Sequence, residues 1–240
     1  QELQGYQATL EERVEAQTRK IKEQALERIR MQESVIEGMA AIIESRDNSN
    51  GEHVRNTKRY VTMMADYMLE NNIYPETVNE KFTVYIRNAA PLHDVGKILI
   101  SDVILNKPGR FTPEEFEIMK THAFLGGDIV EKILAGNAEP ELLQMAREIV
   151  CCHHEKWDGS GYPMGLRGSE IPLSARIMAV ADVFDALVCR RVYKEAMAEE
   201  HAFSILREDA GKHFDPVLVD VFFSIRKDVH QYLQENGRRH

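Results

Sequence analysis

Five of the nine histidines fall into one ordered series: His53, then His93-Asp94, then His122, then His153-His154, closed by Asp182. Neutral imidazole is the commonest protein metal ligand. Carboxylates beside it add negative charge and can bridge two cations. Five histidines and two aspartates suffice for two ions with room left for solvent. Mixed N and O donors suit Fe, Mn, Ni, Co or Zn, and the donor types alone do not choose among them. Two such ions, held about 3.5–4 Å apart, would lower the pKa of a bridging water and clamp a phosphoryl oxygen. The bridging hydroxide would then be the nucleophile in an in-line attack on phosphorus. No Ser or Cys beside a base offers a better one. Any one of these histidines alone would more often be a core or capping residue, so the weight lies in the series.

These ligands come from separated segments, so the elements between them must fold them together. From Arg46 onward the apolar period is helical almost throughout; Val61, Met64, Ala65, Met68 and Leu69 make one face. Thr112-Pro113-Glu114-Glu115 is a helix start, with an N-cap, Pro at the first helical position and Glu at the third. Asp215-Pro216 is another. Lys107-Pro108-Gly109 reads as a turn, and the Gly- and Pro-rich stretch from Asp158 to Pro172 as a long loop. His93-Asp94 and His153-His154, if helical, would point their two side chains roughly 100° apart. The expected architecture is all-α, a helical bundle with a dinuclear metal site between facing helices.

Residues 1–46 differ in character. They lack Pro and are rich in Glu, Gln, Arg and Lys. Leu3, Leu10, Gln17, Gln24 and Met31 are spaced by seven, with Gln7, Val14, Ile21, Arg28 and Val35 four residues on. That is a heptad seam with polar interruptions, running through about five heptads. The domain expectation is therefore a coiled-coil signalling helix over 1–46, pairing two subunits, and a catalytic domain over 47–240. A single amphipathic helix packed on the domain behind it is the simpler alternative.

The net charge of −9 argues against a general DNA- or RNA-binding protein. It does not exclude a small anionic ligand, because bound cations reverse the local sign. Three cysteines, Cys151, Cys152 and Cys189, fit a reducing compartment. Adjacent Cys151-Cys152 lack the usual spacing of a zinc site and read as packing residues. No membrane span or signal peptide is apparent, so a cytoplasmic location is expected, with any membrane anchor lying upstream in a longer parent chain.

The residues resemble the HD-GYP domain of the HD phosphohydrolase superfamily. The resemblance rests on His93-Asp94, His153-His154-Glu155 and Asp158-Gly159-Ser160-Gly161-Tyr162-Pro163. It continues through Gly165-Leu166-Arg167-Gly168, Ile171-Pro172, Ala175-Arg176-Ile177, Ala181 to Leu187 and Phe214-Asp215-Pro216, and spans about residues 46–225. It implies an HD-domain-like helical bundle that linearises or fully hydrolyses cyclic di-GMP, to pGpG and/or GMP. The implied cofactors are two divalent transition metals, iron or manganese foremost. His53, His93, Asp94 and Asp182 match the ligand set of the wider superfamily, and His122, His153 and His154 the added ligands of a second metal, with Asp94 bridging. Lys97 matches the lysine near the scissile phosphate, where it would stabilise transition-state charge. Tyr162, Arg191 and Lys194 match substrate-contacting positions. Asp185 is expected to orient a neighbouring side chain, and Glu155 and Trp157 to be structural.

Two departures stand out. Ser49 occupies a position where some members carry a metal-binding Glu, so two metals are expected rather than three. Val192 replaces a usual Pro and should alter loop stiffness more than chemistry. The resemblance also implies an upstream sensor or receiver domain. Three alternatives remain beside cyclic di-GMP hydrolysis. They are hydrolysis of another nucleotide such as cyclic GMP-AMP, a cyclic-dinucleotide-binding module with weak turnover, and a structural dimerisation protein.

Overall fold

The computed structural model of the protein describes residues 2–46, 52–136, 138–189 and 197–237. Ser49, Arg191, Val192 and Lys194 lie outside them. The fold is all-helical. Its helices are α1 (Glu2–Ser45), α2 (Glu52–Glu70), α3 (Glu80–Ala89), α4 (Asp102–Leu105), α5 (Pro113–Leu134), α6 (Pro140–Cys152), α7 (Leu173–Val188), α8 (Glu199–Glu208), α9 (Pro216–Ser224) and α10 (Arg226–Gly237). Short 3-10 turns cover Ala90–Leu92, Val95–Leu99 and Gly168–Glu170. Among the described residues there is no strand, only an isolated bridge between Ala210 and Phe214. The chain divides into two compact units, Gln1–Gly38 and Met39–His240.

In the first unit, Val14, Ile21, Met31 and Val35 are each more than half exposed. In the second unit, the core sits where α2, α7, α8 and α9 meet. α7 is apolar nearly all round, burying Leu173, Ala175, Ile177, Met178, Val180, Ala181 and Phe184, which is the pattern of a central helix. Tyr60, Phe184, Phe203 and Phe222 form an aromatic cluster, with ring centroids 4.8 Å apart for Phe184–Phe222 and 5.4 Å for Tyr60–Phe184. Each such buried ring contributes about 2–3 kcal/mol by removal from water. Packed this way, α2 and α7 hold their polar residues at fixed separation.

The helix starts follow local chemistry. Thr112 caps α5 by accepting from Glu115 N (3.3 Å), while Thr112 N donates to Glu115 Oε2 (2.7 Å). Asp215 caps α9 by accepting from Val217 N. Its other carboxylate oxygen accepts from Arg176 Nη1 of α7 (2.7 Å) and from the Tyr74 hydroxyl (3.0 Å). That buried pair ties the start of α9 to α7 and to the turn after α2. Cys152 is buried against Ile171 and Ala175, with Cys151 packed alongside. Burial pushes the Cys152 thiol up to about 12, as expected of a packing residue rather than a reactive one.

A second packing layer places α5 against α6 and against the turn Val95–Leu99. Gly96 makes this contact possible. A Cβ there would lie 1.9 Å from the backbone oxygen of His122 and 2.8 Å from Gly126 N. The two backbones therefore touch beside the histidine that α5 contributes. At Gly127 an added methyl would meet only the Cys151 side chain, at 2.7 Å. Gly96→Ala should cost about 1–3 kcal/mol or more through overpacking against rigid backbone, and Gly127→Ala clearly less. Parallel urea unfolding of the two variants checks this, and equal stability would contradict the backbone contact.

Candidate metal centre

His93 and Asp94 do not lie within an α-helix. His93 closes the turn Ala90–Leu92 and Asp94 opens the turn Val95–Leu99. His153 likewise caps the end of α6, with His154 in the following turn. The expectation of a helical 100° offset is corrected here. Helix ends and 3-10 turns, not helix periodicity, set the directions of each neighbouring pair. His53 comes from the first turn of α2, His122 from mid-α5, and Asp182 from α7.

These seven side chains meet in two groups. Ligand atoms of Asp94, His122, His153 and His154 lie within 4.8 Å of one another, and so do those of His53, His93 and Asp182. Asp94 faces both groups. Its Oδ2 is 3.3 Å from His93 Nε2, while its Oδ1 is 3.3 Å from His122 Nε2 and 3.7 Å from His153 Nε2. On the other side, His53 Nε2 is 3.2 Å from Asp182 Oδ1.

The far ring nitrogens are tied down. Nδ1 of His93 donates to Ala90 O (3.1 Å), Nδ1 of His122 to Met119 O (2.7 Å) and Nδ1 of His153 to Ile149 O (3.0 Å). His53 Nδ1 donates to Asp185 Oδ2 (2.7 Å). A proton on Nδ1 leaves Nε2 with its lone pair, so all four rings present ligand nitrogens inward. His154 Nε2 faces His122 Nε2 at 3.2 Å. Nε2 of His93, Nε2 of His153 and Oδ1 of Asp94 are buried with no hydrogen-bond partner. Buried polar atoms left so are costly, and three converging at one place fit a cation that would satisfy them.

The electrostatics agree with that fit. Burial works against ionising Asp94, but the Lys97 ammonium, the His93 imidazole and the adjacent His122 and His153 rings outweigh it and hold the carboxyl well below its usual range. Burial likewise opposes ionising Asp182, and contacts with His53 and His93 overcome it. His154 is kept neutral by burial and then by His153 beside it. At His53 burial disfavours the charge, yet Asp182 and Asp185 together lift its pKa to about 10, so without a cation Nε2 also carries a proton, which a metal would have to displace.

Around this centre stand the supporting groups. Lys97 Nζ pairs with Asp94 Oδ2 at 2.8 Å. Its segment is gripped by Arg46, which donates to Ile98 O (2.8 Å) and to Asp102 Oδ1 (2.7 Å). Val54 N, in the first turn of α2, donates to the buried Glu44 carboxylate (3.2 Å). Tyr162 packs on His154 with ring centroids 4.7 Å apart and 30° between planes. Glu155 is buried, and its carboxylate accepts from Met164 N (2.7 Å) and Leu166 N (3.0 Å), which shapes the loop that carries Tyr162. Trp157 is bound by its backbone to His213 and Gly168.

Sequence reasoning missed Arg46, Glu44 and the loop-shaping work of Glu155. An acidic residue directly after a histidine pair and before a Gly-rich loop was the only signal for the last. Asp185 is fully buried, and its second oxygen accepts from the Cys189 thiol (3.2 Å), so it can aim His53 without touching solvent. Asp185→Asn keeps the shape but removes the charge that holds Nδ1. Metal affinity should fall about 10–100-fold, measured by competition with a chelator. An unaltered affinity would mean that His53 is held some other way.

A family model described as "HD domain" matches residues 38–218. A Vibrio cholerae protein named "Probable cyclic di-GMP phosphodiesterase" is 48% identical over 195 residues, covering 80% of this chain and 44% of that protein. A Thermotoga maritima protein named "Cyclic di-GMP phosphodiesterase" is 49% identical over 152 residues, 63% of this chain and 40% of that one. The chain thus spans less than half the length of these relatives. Among solved structures, a cyclic GMP-AMP specific phosphodiesterase of V. cholerae superposes with a TM-score of 0.56 at 21% identity, covering 80% of this chain and 48% of that one, and shares the fold. The chain belongs to the HD domain family, and its motifs and relatives put it in the HD-GYP group.

Proposed function

We propose that this chain is a metal-dependent phosphodiesterase that hydrolyses cyclic di-GMP to pGpG and/or GMP. The observation that carries the reading is the convergence of seven donors, among which His93 Nε2, His153 Nε2 and Asp94 Oδ1 are buried without hydrogen-bond partners. His53, His93 and Asp182 would hold one divalent cation, and His122, His153 and His154 a second, with Asp94 between them. When bound, such a pair neutralises phosphate charge and makes water nucleophilic at neutral pH. Nitrogen and oxygen donors in this mixture suit iron or manganese. Ser49 stands where a carboxylate would serve a third cation, which favours two.

The chain's own residues do the rest. Asp94 and Asp182 stay ionised and so remain available as anionic ligands. Lys97, 2.8 Å from Asp94, places a cation where negative charge gathers as the phosphodiester is attacked. Tyr162, over His154, would meet the substrate at the mouth of the site. Arg191 and Lys194 would supply further phosphate or guanine contacts. The exposed Val14, Ile21, Met31 and Val35, all on the heptad seam, support pairing of two copies through the N-terminal helix. Among the described residues no helix is long and apolar enough to cross a membrane. A sensor or receiver domain upstream and a cytoplasmic location complete the reading.

Protein purified anaerobically with Mn or Fe should contain about two metal ions per chain and linearise cyclic di-GMP, with loss of activity on chelation and recovery on metal return. Elemental analysis and product chromatography measure both, with cyclic GMP-AMP offered in parallel. A fully metallated chain inert toward both dinucleotides refutes the enzymatic reading, and a faster rate on cyclic GMP-AMP reassigns the substrate. Lys97→Met should retain both metals yet lower kcat by about 10²–10³-fold, the scale of a lost charge-stabilising donor. A kcat within twofold of the parent would remove Lys97 from the mechanism.

A further inference from the structure

Two turns of α5 bring a second aromatic ring and a second lysine against Tyr162, the ring that packs on His154. Phe116 and Lys120 are four residues apart and share one face of the helix. The Phe116 ring stands edge-on to Tyr162, with centroids 6.0 Å apart and 81° between planes. Lys120 Nζ lies 5.3 Å from the Phe116 centroid and 5.8 Å from that of Tyr162. Tyr162 in turn packs on His154. A continuous path therefore runs from the donor cluster through Tyr162 to Phe116.

Phe116 remains 44% exposed. The Lys120 side chain is only 25% exposed because it lies along the two rings, and its ionic partner is Glu117 at 2.6 Å, a side chain that is 71% exposed. An exposed helix pair of this kind is worth little and is readily exchanged. A phosphate could take the place of Glu117 at Lys120 with little loss. An exposed ring beside a cation, contiguous with a phosphodiester site, is the arrangement that stacks a nucleobase and pairs with its phosphate.

We propose that Phe116 and Lys120 form a subsite for one purine base of the substrate and its adjoining phosphate, outside the donor cluster. This rests on the phosphodiesterase reading and adds to it a reason for preferring a cyclic dinucleotide. A substrate with two bases reaches beyond the metal centre, and a small phosphodiester does not. Substrate choice is then set in part by α5, whose His122 also belongs to the donor cluster.

The test compares the fully metallated parent with Phe116→Ala, Phe116→Trp and Lys120→Ala on cyclic di-GMP and on methyl 4-nitrophenyl phosphate, a diester without a base. For Phe116→Ala and Lys120→Ala, KM for the dinucleotide should rise about tenfold while kcat changes little, in line with the loss of one stacked base. The ratio of kcat/KM for the dinucleotide to that for the small diester should fall by the same factor. Phe116→Trp should restore KM. An unchanged ratio, or a loss shared equally by both substrates, overturns the subsite. If the metallated parent hydrolyses the small diester but not the dinucleotide, the substrate reading fails instead. GMP titration of parent and Phe116→Ala then decides the subsite alone: weaker GMP binding by the variant supports it, and equal binding removes it.

Discussion

One carboxylate, its side chain only 18% exposed, stands between two sets of imidazoles, and the remaining architecture follows from keeping it there. Asp94 would be expensive to ionise away from water. It is ionised because Lys97 and three imidazoles surround it. Those partners come from α5, from the end of α6 and from the turns on either side of Asp94 itself. None of them can shift without exposing charge that the others were placed to balance. The contact of Gly96 with the backbone of α5 is the tightest expression of this constraint, since it sets the Asp94 turn against His122 with no side chain between them.

The division of labour between the two packing layers is simple. The aromatic cluster around Phe184 fixes α2 to α7 and so sets the spacing of His53 from Asp182 and Asp185. The layer of α5 and α6 carries His122, His153 and His154. Preorganisation of this kind matters because a cation gains most from donors already aimed at it. The four Nδ1–H bonds do that aiming. Three of them use main-chain carbonyls at the ends or within the helices, which no side-chain substitution removes.

Much of this was legible along the chain, for identifiable reasons. The starts of α5 and α9 follow from Thr112 and Asp215, whose capping is a local matter. The order of His53, His93, His122, His153, His154 and Asp182 was visible because histidines rarely collect in series by chance. What could not be read was anything that depended on distant backbone. The 3-10 turns that orient His93 and Asp94 carry no periodic signal. Arg46 gripping the Lys97 segment and Phe116 approaching Tyr162 are contacts between residues far apart in sequence, with side chains common on any surface. The heptad seam near the N-terminus was clear as a pattern. A pattern names a face, and its occupant is a separate question.

Glu155 follows the His153-His154 pair without a break and braces the loop of Tyr162 through Met164 and Leu166. The aperture and the donor cluster are therefore mechanically one piece on that side. A change in the loop would drag the histidines with it, so this wall has little freedom to drift among descendants. The neighbouring outer turns of α5 meet that loop through the ring and cation contacts of Phe116 and Lys120 with Tyr162. Diversification within the group would be concentrated there, where a new side chain alters what enters without disturbing what waits inside.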